Sequence, residues 1–81
     1  MYWNHRIIEH NEIEFYEAIH EVYYNEDGSI QGWTENPVSI MKYEEDSWEK
    51  IVEWIKVAAS KPVLIASMDD KGNWTLTERK D

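Results

Sequence analysis

The chain has no cysteine, two prolines, three glycines and a single phenylalanine among its 81 residues. Without cysteine there is no disulfide staple, no thiolate nucleophile and no thiolate ligand set for a metal, which suits a reducing compartment. Three scattered glycines build no Gly-rich phosphate loop, and no nucleophile elbow is present. Long hydrophobic runs are missing as well. The longest, Val63 to Ala66, falls far short of the roughly 20 residues that a spanning helix needs. The opening MYWNHRIIEH has neither a basic start nor an apolar core segment, so no signal peptide is expected. A cytoplasmic location is the expectation.

Positive charge is scarce. Seventeen acids face eight bases, a formal net charge of −9, and the imbalance is local. Thirteen of the acids lie between Glu9 and Glu53 against Lys42 and Lys50, while the rest of the chain is slightly basic. Such a surface repels phosphates, so direct nucleic-acid or anionic-membrane binding is not expected. A basic protein partner is the electrostatic complement. Aromatic residues are plentiful instead, with five Trp and five Tyr. A chain of this length suits one domain, 1–81, that buries about 60–65% of its unfolded surface.

The pattern predicts an α+β fold, an antiparallel β-sheet packed on one α-helix in the order β-β-β-α-β-β. Residues 1–36 read as a three-stranded meander. YWNHRIIEH is a first strand, 11–12 a turn, and 13–24 (IEFYEAIHEVYY) alternates at period two. Asp27-Gly28 closes a hairpin onto a third strand at 29–35, which Asn36-Pro37 ends. A helix is expected over 46–60. Asp46 is the expected cap, and Trp48, Ile51, Val52, Ile55, Ala58 and Ala59 form its buried stripe. Trp54 and Val57 flank that stripe, and Lys61-Pro62 stops the helix. A hairpin over 63–78 turns at DDKG.

The Asp27-Gly28 hairpin can be taken further. A three-residue loop, 26–28, sets Tyr24 opposite Ile30, Tyr23 opposite Gln31, Val22 opposite Gly32, Glu21 opposite Trp33 and His20 opposite Thr34. Cross-strand partners share a face. One face then carries Tyr16, Ala18, His20, Val22, Tyr24 and Ile30, which is the better core and the expected seat of the helix. The other carries Phe15, Glu17, Ile19, Glu21, Tyr23, Trp33 and Glu35. Large aromatics among carboxylates exceed what a solvated face requires, and such patches mark interfaces. These seven residues are the candidate partner-binding surface.

Candidates for chemistry are weaker. His20 and Glu21, as strand neighbours, point to opposite faces and cannot act as a pair. His5, His10 and His20 lack the helical i, i+4 spacing of a zinc motif, and His5 and His10 fall on opposite faces of one strand. NEDGS and DDKGN lack the ligand order of a calcium loop. Glu44-Glu45-Asp46 reads as acids favouring a helix N-terminus. No catalytic residue, metal ligand or cofactor is expected.

YWNHRII, AIHEVYYNEDGSIQGWTENPV and the helix closing on KPVL together resemble a family of small bacterial and phage proteins. Its members share an IHEVYYxxxG…WTExPV core and a helix ending in KPVL. The resemblance spans residues 2–64 and implies kinship without an activity. Because those relatives end soon after KPVL, the hairpin at 65–78 reads as an extension.

The expected function is therefore a non-enzymatic, acidic protein-interaction module that binds a basic protein partner through the aromatic and acidic sheet face. A phage-type inhibitor that mimics nucleic acid is the sharper variant. The alternatives are a small-ligand binder, using a pocket between Trp48, Trp54 and the sheet, and a self-associating protein forming a homodimer.

Overall fold

A computed structural model describes residues 2–80 and gives an α+β fold with one five-stranded sheet and one helix. In chain order the elements are β1 (Tyr2–His10), β2 (Tyr16–Tyr24), β3 (Ile30–Trp33), α1 (Trp48–Ser60), β4 (Leu64–Met68) and β5 (Trp74–Glu78). In space the strands lie β3-β2-β1-β4-β5, so the N-terminal strand is central.

The sheet is mixed, which corrects the all-antiparallel expectation. β1 pairs antiparallel with β2, and β4 with β5, but β4 runs parallel to β1 through Ile8↔Leu64 and Glu9↔Ile65. Tight turns join only antiparallel neighbours, whereas a strand reached through a crossover helix can enter from either end. β3 finishes at the sheet edge, α1 carries the chain back, and β4 takes the free side of β1.

The first hairpin also turns later than its alternation suggests. Residues 11–15 lie outside the sheet, with Ile13 99% and Phe15 62% exposed. At the second turn, Asn25 N donates to Ser29 O at 2.8 Å and Gly28 takes φ 88°, a conformation that glycine adopts without a Cβ clash. Tyr24 pairs with Ile30 as expected. A bulge then shifts the register, so that Tyr23 meets Gly32 and Val22 meets Trp33. That one residue moves Trp33 to the Val22 face, away from Glu21.

The helix starts one residue later than the acids suggest. Its cap is Ser47, not Asp46, and the Ser47 Oγ accepts from Lys50 N at 3.2 Å. It ends at Lys61, before Pro62. Ile51 and Ala58 are its buried residues, while Trp48 and Val52 remain 56% and 48% exposed. The buried stripe is thus rotated toward Trp54, whose indole stacks on the His5 ring at 4.2 Å.

That stack also settles which face the helix covers. His5 lies on the odd-numbered face of β1, so α1 seats on the side of His5, not on the Val22 side that the sequence favours. The Val22 face is nonetheless the deepest core. Ile8, Val22, Leu64, Ala66 and Tyr24 are buried there, and the edge-strand residues Ile30, Trp33 and Leu76 pack against them. Side chains from both edges reach the same central cluster, so the sheet curls over this face and covers part of it with its own margins. Each fully buried Ile, Val or Leu contributes about 1.5–3 kcal/mol. We call this the concave face and the helix side the convex face. Among the described residues, no helix is long and apolar enough to cross a membrane.

Arg6 ties the curled face together. It is 7% exposed, and its two terminal nitrogens donate to the Tyr24 hydroxyl at 2.9 Å and the Pro62 carbonyl at 2.8 Å. Glu78 Oε2 stands 3.6 Å from Nη2, and the Tyr24 hydroxyl donates onward to Asn4 Oδ1 at 2.8 Å. One guanidinium therefore links β1, β2, the entry to β4, and β5.

Candidate functional site

Alternation and strand pairing place His10, Tyr16, Ala18 and His20 on the concave face. Small Ala18 separates the two larger residues of β2, and across it the imidazoles of His10 and His20 meet, Nε2 to Nε2, at 3.0 Å. His10 also stacks on Tyr16 with centroids 4.5 Å apart. His20 is fully buried, and its Nδ1 lies 2.9 Å from the Thr34 carbonyl oxygen. A carbonyl can only accept, so His20 Nδ1 carries the proton and its Nε2 is bare. His10 Nε2–H must then be the donor across the pair. Burial holds the His20 imidazole below the ordinary histidine range; the Thr34 carbonyl opposes this and nearby His10 adds to it.

Above this pair opens a hollow of about 610 Å³. Its walls are His10 and Tyr16 from the β1–β2 hairpin, Trp33 from β3, and Ala66 and Trp74 from β4 and β5. Glu12 and Ile13 stand on one rim and Glu35 on another. Tyr16 and Trp74 are 44% and 41% exposed, and His10 stacks on one face of the Tyr16 ring. Three aromatic rings and two carboxylates around one cavity suit a cation. The ring faces attract it through their quadrupoles, and the carboxylates pair with it.

The seven sequence-derived candidates do not form one surface. Trp33 and Glu35 line the concave hollow. Glu17, Ile19, Glu21 and Tyr23 alternate on the convex side of β2, and Phe15 lies before that strand. The bulge in β3 is what separates Trp33 from Glu21. The convex carboxylates are also engaged. Arg79 Nη1 lies 3.3 Å from Glu17 Oε2 and 3.1 Å from Glu9 Oε1, and the Tyr23 hydroxyl donates to Glu21 Oε1 at 2.7 Å. That last bond raises the Tyr23 pKa, burial and the Glu21 charge adding to it. Glu9 is held below its usual value, first by the Asn11 amide and also by Arg79, against the opposing effect of burial.

A second hollow, about 570 Å³, lies between the convex face, the 38–46 segment and α1. His5, Glu21, Tyr43, Lys50 and Trp54 are among its lining residues, and Trp48 is not. Burial lowers the His5 pKa while the Glu21 charge works against it.

His10, Tyr16, Glu12, Ile13 and Trp74 were absent from the sequence-derived surface. For His10 and Tyr16 the signal was an even numbering shared with His20. That signal becomes readable only once a five-residue connection replaces the two-residue turn. Among the described residues, no group of three or more His, Asp or Glu side chains is placed to hold a metal ion. No family model, curated protein or solved structure matches the chain.

Proposed function

We propose that this protein is a non-enzymatic interaction module that binds a basic protein partner, seating one of the partner's cationic side chains in the concave hollow. The observation that carries this reading is the lining itself: Tyr16, Trp33 and Trp74 with Glu12 and Glu35 around one cavity, in a chain of net charge −9. The long-range field draws a basic partner in, the carboxylates select for positive charge, and the rings supply contact area. Relative to the sequence expectation, the surface moves to the opposite side of the sheet and keeps Trp33 and Glu35. The nucleic-acid-mimic variant draws less support, because Glu17 and Glu21 already have partners within the chain.

The small-ligand reading has its own observation in the hollow beside Trp54, where Lys50 and Glu21 offer both signs of charge. The two are separable. Isothermal titration with an acetylated hexa-arginine peptide should show saturable binding at pH 7.5 that weakens as salt rises. Glu12→Gln/Glu35→Gln should weaken it about tenfold, and Trp74→Ala comparably. The charge-matched control Glu44→Gln/Glu45→Gln should change it less than threefold. Equal losses in both double variants would reduce the interaction to net charge and remove the site.

A further inference from the structure

The hollow has a titratable floor, and we infer that the His10–His20 pair makes occupancy by a cationic side chain pH-dependent, with capture at neutral pH and release on acidification. This rests on the concave hollow being the binding site. The geometry carries it. His20 is fully buried with Nδ1–H committed to the Thr34 carbonyl, and its bare Nε2 receives the His10 Nε2–H at 3.0 Å. His10 is half-buried, lines the hollow and stacks on Tyr16.

Proton uptake proceeds in two stages. The first proton goes to His10 Nδ1, because His20 Nδ1 is already occupied and its Nε2 is engaged. The pair still has one donor and one acceptor, so the contact survives, but the wall of the hollow now bears a positive charge. That charge repels a cationic occupant. A second proton, on His20 Nε2, would place two N–H donors head to head at 3.0 Å, which breaks the contact and moves the ring that supports Tyr16.

The surrounding charges bear on both stages. Arg6 pairs opposite His20 on β1, and Glu78 stands against Arg6. Glu12 and Glu35 line the same hollow as His10. A cation paired with those two carboxylates shares the hollow with any charge placed on His10. Occupancy and protonation are therefore antagonistic, and by linkage the antagonism is reciprocal. Tyr2, Tyr16 and Tyr24 are further titratable side chains on this face.

The test uses the whole protein and the acetylated hexa-arginine peptide, titrated at pH 7.5 and 5.5 at fixed ionic strength. A unit charge lining the hollow weakens binding roughly five- to tenfold at an effective dielectric intermediate between protein and water. His10→Gln keeps an N–H donor for His20 and removes the first protonation site, so its affinity should change less than twofold between the two pH values. Histidine proton and carbon NMR shifts of the free protein, followed over the same range, show whether His10 takes the first proton. Equal wild-type affinity at both pH values, or a full pH response in His10→Gln, overturns the inference and leaves the binding site standing. Absence of peptide binding at pH 7.5, or binding unaffected by Glu12→Gln/Glu35→Gln, removes the site and the inference with it. A five- to tenfold wild-type loss with a flat His10→Gln profile supports both.

Discussion

Arg6→Met should leave this protein far more stable than Arg6→Ala, and the difference tests what the buried arginine does. Arg6 is 7% exposed and donates to the Tyr24 hydroxyl and the Pro62 carbonyl, yet its Nε is buried with no hydrogen-bond partner. Its counter-charge, Glu78, stands 3.6 Å away on a side chain that is 63% exposed, so solvent screens most of that attraction. A buried charge so incompletely matched carries a desolvation cost close to its Coulombic gain, and hydrophobic replacements of similar volume are often neutral. Methionine keeps the length of the stem and removes the charge. The Tyr24 hydroxyl still donates to Asn4, so Arg6→Met should cost no more than about 2 kcal/mol. Alanine loses the same hydrogen bonds and about three further heavy atoms of packing, each near 0.8 kcal/mol, and leaves a cavity. Arg6→Ala should therefore fall about 2–3 kcal/mol below Arg6→Met, a separation of roughly 8–24 °C in Tm for a domain of this size. Urea denaturation with equal m-values in all three proteins measures it. Two variants of equal stability would refute the reasoning, since the polar contacts and not the packed stem would then carry the whole effect.

Stability should also depend on pH through the buried histidines. His20 and His5 both have folded pKa values below the ordinary 6.5, burial being the leading cause for each. The unfolded chain then binds more protons below neutrality. Their contribution is fully present above pH 6.5 and is lost as pH falls through the folded values, so the urea midpoint should drop between pH 7.5 and 5.5. A midpoint unchanged over that range contradicts the burial of these rings. Ser47→Ala should cost about 1 kcal/mol by removing the acceptor for Lys50 N, whereas Asp46→Ala should leave that cap intact. Thermal unfolding of the two variants distinguishes the caps, and the reverse order would restore Asp46.

Much of the architecture was legible in the residues alone. Alternation over 16–24, the Asp27-Gly28 turn, the 3.6-residue period before Lys61-Pro62 and the DDKG turn are local signals. They place the strands and the helix because each is encoded within a few neighbouring residues. The buried identity of the Val22 face was equally local, since Ala18, His20, Val22 and Tyr24 share the parity of one strand. The net acidity of the chain followed from composition, which no folding event alters.

What covers each face, and what meets across it, was decided only in three dimensions. The parallel pairing of β1 with β4 joins residues 56 positions apart, and no short stretch of sequence records that the central strand has a free side. The bulge beside Tyr24 displaces the register by one residue, and the period of two turns that step into a change of face for Trp33. Seating the helix against His5 leaves the Val22 face to be covered by the sheet's own edges, an outcome set by total packing and not by any one segment. The hollow arises from that outcome. His10 and His20, Trp33 and Trp74 come from four different strands, and only the curvature of the sheet brings their side chains to one place.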